Sequence, residues 1–262
     1  MASATVVDAR RTGVRRGVME FGILGILYVA YSASRTLASE NVGAAKERAA
    51  WLLKLERGWH LDVERTITGW FVDINWLGLA GSYFYATAHY LVTLIVLVWL
   101  YLRHPDVYSP ARRALVVATV LALGLYLLIP MAPPRLVGYT DVLKLHAASG
   151  WWGGDASAPK GLGGLTNQLA AMPSLHAGWA LWVAVAVTWA GVHVFWRRLA
   201  WTYAFVSVFV IIGTGNHWVL DAVAGWLVIG YALWLFRPNK PEELSPTREV
   251  PEWATPQDDV SR

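Results

Sequence analysis

Apolar residues along this chain gather into six long stretches separated by short polar turns: Val18–Leu37, Tyr83–Leu102, Ala114–Pro130, Ala177–Trp196, Leu199–Gly215 and Trp218–Phe236. A membrane-crossing helix needs about 20 mostly apolar residues, within a range of about 17–25, and all six meet that length. The first is too long for the apolar part of a secretory leader, and no small-residue cleavage pattern follows it. Ahead of the second span, Ala44–Arg65 mixes Ala50, Leu52, Leu53 and Leu55 with Lys46, Arg48, Lys54, Arg57 and Arg65 and with Glu47, Glu56, Asp62 and Glu64. Charges beside apolar residues predict a helix lying at the interface, as a lateral gate or as an anchor. Trp70–Leu79 is apolar but short, which predicts an interfacial or re-entrant piece. Gly150–Gly164 reads as a flexible loop, and no internal repeat is visible.

The charges then orient the spans. Arg10, Arg11, Arg15 and Arg16 precede the first; Arg103, Arg112 and Arg113 lie after the second, Arg197 and Arg198 after the fourth, Arg237 and Lys240 after the sixth. Basic turns stay cytoplasmic, so the expected fold is an all-α polytopic membrane bundle of six helices with both termini cytoplasmic. Residues 1–17 are expected to form a basic cytoplasmic arm, 18–237 the membrane domain, and 238–262 a Pro- and acid-containing cytoplasmic tail without structure of its own. Composition agrees. The chain of 262 residues is 56% hydrophobic and 15% charged, against about 25% charged in soluble domains. Sixteen Trp suit a bilayer interface, and the absence of Cys excludes disulfides, thiolate metal sites and a cysteine nucleophile. The basic residues are split between turns and form no stripe, so nucleic-acid binding has no support.

Polar residues are expensive at membrane depth, and four places carry them, all at the outer ends of helices in this topology. In Ala132-Pro133-Pro134-Arg135 two prolines stop a helix and hold one guanidinium, a group suited to gripping phosphate. Met172-Pro173-Ser174-Leu175-His176 opens the fourth span with a rigid, capped start whose free N–H groups suit an anion, here near Ser174 and Leu175. In Gly215-Asn216-His217-Trp218-Val219-Leu220-Asp221, His217 and Asp221 are four apart and share a helix face. A carboxylate on one imidazole nitrogen leaves the other as nucleophile or base. Tyr85 and His89 share a face of the second span, as second-shell or headgroup contacts or as bundle residues. Asn216 and Asn167 are further second-shell candidates. One arginine, an anion-binding helix start, one His and a His–Asp pair together suit phosphoryl transfer.

Ala170-Ala171-Met172-Pro173-Ser174-Leu175-His176 followed by Gly215-Asn216-His217-Trp218-Val219-Leu220-Asp221 resembles the type-2 phosphatidic acid phosphatase superfamily, over roughly Ala114 to Phe236. The Ala-Pro-Pro-Arg ahead of them resembles the inositol phosphorylceramide synthase branch. The resemblance implies that His217 attacks phosphorus to give a phosphohistidine, that Asp221 orients it, and that His176 protonates the leaving alcohol and then deprotonates the acceptor. Arg135, Ser174 and the N–H groups near Leu175 and His176 would hold the phosphate; no metal or cofactor is implied. The sequence departs from the phosphatase pattern at Leu128, where Lys is usual, at Val210 and Ile211, where Ser-Arg is usual, and at Leu175, where Gly is usual. Two phosphate-binding cations are thus replaced by apolar residues, with Lys144, Lys160, His146 or His89 as substitutes, or with a phosphodiester substrate that needs fewer.

The expected function is an integral membrane lipid phosphotransferase or phosphatase at the extracytoplasmic face of the plasma membrane. Its substrate would be a membrane lipid phosphate or phospholipid. An inositol-type alcohol acceptor makes it a transferase, and water makes it a lipid or polyprenyl phosphate phosphatase. A proton-coupled transporter is the reading from another class, and a catalytically inactive scaffold a third. Against the transporter stand polar residues at helix ends and no inverted repeat.

Overall fold

The computed structural model describes residues 41–152 and 167–238, together with Gly22 and Gly25 as helical positions. The basic arm, the remainder of the first expected span, Lys160 with most of the glycine-rich loop, and the tail after Pro238 lie outside the described residues.

Eight α-helices account for the described fold: α1 (Val42–Gly58), α2 (Glu64–Asp73), α3 (Asn75–Arg103), α4 (Pro105–Leu128), the one-turn α5 (Val142–Leu145), α6 (Leu175–Trp189), α7 (Val194–Gly213) and α8 (Val219–Leu235). Strand pairing among the described residues is limited to one parallel bridge, Met131 with Ala170. Among the described residues three helices, α3, α4 and α7, are long and apolar enough to cross a membrane. α6 and α8 are equally apolar but shorter, at 15 and 17 residues, or about 22 and 25 Å at 1.5 Å per residue. The outward faces agree with a lipid environment: Leu91, Leu94, Ile95 and Val98 of α3, Phe205 of α7 and Leu227 and Trp234 of α8 are all exposed.

Hydropathy places several boundaries differently from the backbone. The expected piece Trp70–Leu79 is divided, with α2 ending at Asp73, Ile74 extended (ψ 91°) and α3 starting at Asn75. The polar Asp73 and Asn75 flank this break, and α3 runs 29 residues instead of the 20 apolar ones. α4 starts nine residues before the apolar run, because Pro105 stands in its first turn with Asp106 against the positive helix end. The turn expected at Arg197 and Arg198 lies earlier. Gly191 takes φ +65°, which ends α6, and the His193 side chain accepts from Phe195 N–H to open α7. Val194, Phe195 and Trp196 therefore belong to the following helix.

α6 is the central helix, packed on α7 and α8, with α4 closing against α8. Its contact with α8 is backbone on backbone. A Cβ at Gly225 would stand 2.2 Å from Ser174 O, and one at Gly178 would stand 3.2 Å from Gly225 O. Small residues let helices approach this closely where apolar burial gives no drive of its own. On the other flank the fully buried Phe71 ring of α2 is wedged between α3 and α7, and fits because Gly81 and Gly213 face it. α1 is capped by Asn41, whose Oδ1 accepts from Ala44 N–H. Its stripe Ala45, Ala49 and Leu52 lies on Met131, Ala132, Leu169, Ala171 and Trp218. The segment expected at the interface thus covers the chain stretches that carry the polar motifs.

Candidate active site

The start of α8 fixes one half of the site. Gly215 turns the chain at φ +74°, where a Cβ would come within 2.5 Å of Thr140 O. Its carbonyl accepts from Arg135 N–H at 2.9 Å, tying the Pro-Pro-Arg loop to the turn before His217. The Arg135 side chain is then held from two sides. Nη1 donates to Asn216 Oδ1 at 2.7 Å, and Nε lies 3.6 Å from Asp141 Oδ2. Its charge acts directly on the buried imidazole of His217.

His217 Nδ1 lies 2.9 Å from Ala171 O and 3.5 Å from Asp221 Oδ2. A carbonyl oxygen can only accept, so Nδ1 carries the hydrogen and Nε2 keeps its lone pair. Here the structure differs from the simple His–Asp hydrogen bond read from the spacing. The Ala171 carbonyl sets the tautomer, and Asp221 Oδ2 accepts from Trp218 N–H at 2.9 Å while lying 3.5 Å from the ring nitrogen. Ala171 reaches this position through the bridge at Met131 and Ala170, in which Met131 N–H donates to Leu169 O and Ala171 N–H to Met131 O.

The other half is the start of α6. Ser174, fully buried, caps the helix by accepting from Ala177 N–H, and its own N–H donates to Asp221 O. Tyr126 Oη donates to Pro173 O and holds the approach. The N–H groups of Leu175 and His176 meet no acceptor among the described residues. The His176 ring lies 5.5 Å from that of His217, centre to centre, stacks on Tyr85 at 4.4 Å and adjoins His89 at 3.9 Å.

Arg135, Ser174, Leu175, His176, Asn216, His217 and Asp221 are thus drawn together by the α6 and α8 starts and the loop between α4 and α5, with Tyr85 and His89 reaching in from α3. Asn167 is engaged elsewhere, its Oδ1 accepting from Leu169 N–H in a local turn. Of the substitutes for the absent cations, His146 is buried with Nε2 against Gly78, Lys144 is exposed on the one-turn α5, and His89 is the one in ring contact with His176. Leu128 is exposed, and Val210 and Ile211 are packed in the apolar cluster around Phe71.

A family model described as the PAP2 superfamily matches residues 50–235, more than half of the chain. The chain belongs to the PAP2 superfamily. It is accordingly a phosphatase or phosphotransferase enzyme, and its apolar helices fit a membrane protein. No curated protein and no solved structure matches it.

The PAP2 match begins inside α1, and the Ala44–Arg65 segment supplies two residues whose place in the site the sequence did not indicate. Glu64 Oε1 accepts from Val219 N–H at 3.0 Å and Glu56 Oε1 from Leu220 N–H at 2.8 Å, both within the first turn of α8. Among neighbouring lysines and arginines, nothing in the sequence marked these two carboxylates for burial. Asp141, partner of Arg135, was overlooked for the same reason.

Proposed function

We propose that this PAP2 superfamily enzyme transfers a phosphoryl or phospho-headgroup unit from a membrane lipid to an alcohol of the inositol type, through a phosphohistidine on His217. The observation that carries the reading is the Nδ1 contact of His217 with Ala171 O, which leaves Nε2 as a lone-pair nucleophile beside His176 and Arg135. In the first half-reaction Nε2 attacks phosphorus, the phosphorus–oxygen bond to the lipid breaks, and protonated His176 gives its proton to the departing oxygen. Asp221, 3.5 Å from Nδ1, offsets the charge that grows on the ring. In the second, neutral His176 takes the proton of the acceptor hydroxyl as its oxygen attacks phosphorus and the nitrogen–phosphorus bond breaks. The phosphoryl oxygens are met by Arg135, by the unengaged N–H groups of Leu175 and His176, and by the Ser174 hydroxyl, which accepts from Ala177 and keeps its own hydrogen to donate.

The alcohol acceptor is favoured over water by the apolar residues at Leu128, Val210 and Ile211. A site with fewer cations suits a phosphodiester, which carries less charge than a terminal phosphate. We place the site at the extracytoplasmic face of a plasma membrane, in a six-span chain with cytoplasmic termini, on the strength of the basic turns.

The test is to incubate purified protein in detergent with labelled phosphatidic acid, prenyl pyrophosphate or phosphatidylinositol, each with and without free inositol. A new inositol ester supports the transferase, and free phosphate as sole product selects the water reading. His217→Ala should abolish turnover and the acid-labile phosphoenzyme; an H217A protein that still turns over refutes the assignment.

A further inference from the structure

Behind His217, three acids converge on one helix start. Asp221 Oδ2, Glu64 Oε1 and Glu56 Oε1 accept from the successive N–H groups of Trp218, Val219 and Leu220. None of the three side chains reaches solvent. A helix start leaves its first amides unpaired and carries partial positive charge, which explains the attraction. It does not explain how three carboxylates remain together in one buried turn. The second oxygens of Glu56, Glu64 and Asp221 accept from no donor, and because Val219 and Leu220 are consecutive, their amides bring the two glutamate carboxyls side by side. One proton between them satisfies both oxygens and removes one of the three charges. Burial pushes the Glu56 carboxyl up to about 8, with Glu64 and Asp221 adding to the rise and the Leu220 amide opposing it. Glu64 is also raised, by burial first and by Asp62. The charged neighbours in the same segment are engaged elsewhere, Arg57 bridging to Asp62 at 3.7 Å and Arg65 lying over Tyr139 at 4.8 Å. Tyr139 packs edge-on against Trp218, and its hydroxyl too is raised, by burial and then by Glu64.

We infer that Glu56 and Glu64 form a one-proton carboxyl pair that positions the His217–Asp221 end of α8. The Ala44–Arg65 segment therefore braces the start of α8 from behind the nucleophile. The consequence for turnover rests on the phosphohistidine reading above; the pair itself does not. It also explains why the anion site belongs to α6: the first turn of α8 is already occupied by three carboxylates, while α6 keeps two amides open.

Glutamine substitution separates a shared proton from simple packing. Both Oε1 atoms are bound to backbone amides, so in E56Q or E64Q the new NH2 group points at the remaining carboxylate and supplies the hydrogen that the proton supplied. In the double variant two NH2 groups face each other with no acceptor. Each single Gln variant should therefore keep turnover within about threefold of wild type near neutral pH. E56Q/E64Q should fall at least about tenfold below the product of the singles, with the loss in kcat and not in KM, since Arg135 and the α6 amides are untouched. Wild-type kcat should decline as pH rises through about 8, and E56Q should lack that decline. Two readouts hold whatever the protein catalyses. Infrared spectra should show a protonated carboxyl that titrates near the same pH and is absent from E56Q, and Glu64→Ala should speed amide exchange at Trp218, Val219 and Leu220. A double variant equal to the product of the singles, or infrared spectra without the titrating carboxyl, overturns the pair. An inactive wild type that still shows the titrating band and the protected amides overturns the proposed function and leaves the pair standing.

Discussion

At the scale of single residues, the site is a set of side chains fixed by named partners, some local and some distant in the chain. Arg135 is held by its fork. Nη1 engages Asn216 while Nε faces Asp141, a geometry that a lysine cannot reproduce with one ammonium. Arg135→Lys should keep the charge but lower kcat/KM by about 10- to 100-fold, the loss expected for one or two charge-assisted hydrogen bonds. Steady-state kinetics on the preferred lipid checks this, and an R135K protein of wild-type efficiency would show that only the charge matters. The sequence marked Arg135, His176, His217 and Asp221 because such groups are costly beside apolar runs. It did not mark the Ala171 carbonyl that sets the His217 tautomer. A backbone carbonyl has no signature in a sequence, and 46 residues separate the two.

At the scale of elements, the close crossing of α6 and α8 decides where the two halves of the site meet. Gly225→Ala would drive a methyl into Ser174 O, which is backbone and cannot swing aside. The variant should lose at least about 2 kcal/mol of stability and most activity. Gly230→Ala lies on the same helix with nothing within 4 Å of the added carbon, and should gain about 0.5–1 kcal/mol from helix propensity alone. Thermal unfolding of both variants in detergent measures the contrast; equal midpoints would mean that the crossing is looser than described. The existence of α3, α4, α6, α7 and α8 was legible from apolar length. Their ends were not, because hydropathy registers lipid-compatible side chains and is blind to a backbone turn such as Gly191, or to a polar opening stretch such as the Pro105–Arg113 part of α4.

At the scale of the whole molecule, burial of the Glu56–Glu64 pair links folding to pH. The Glu56 carboxyl, ordinarily near 4.5, is pushed by burial up to about 8 in the fold. Between those values the folded chain keeps a proton that the unfolded chain has released, so stability falls with rising pH. The contribution is full below 4.5 and is lost as pH passes through about 8. Unfolding midpoints of wild type minus those of E56Q should therefore decrease across this window, and a flat or rising difference would contradict the burial. The sequence by itself determined a helical membrane chain, the family to which it belongs, and the residue types that phosphoryl chemistry needs, because apolar run length and short polar motifs are local properties. Only the tertiary structure decided which partner holds each group: Ala171 on His217, Asp141 on Arg135, and Glu56 and Glu64 on the start of α8, the last two across 164 and 155 residues of chain. The two glutamate pairings depend on how α1 and α2 dock over the start of α8, a matter of tertiary shape that no spacing along the chain encodes.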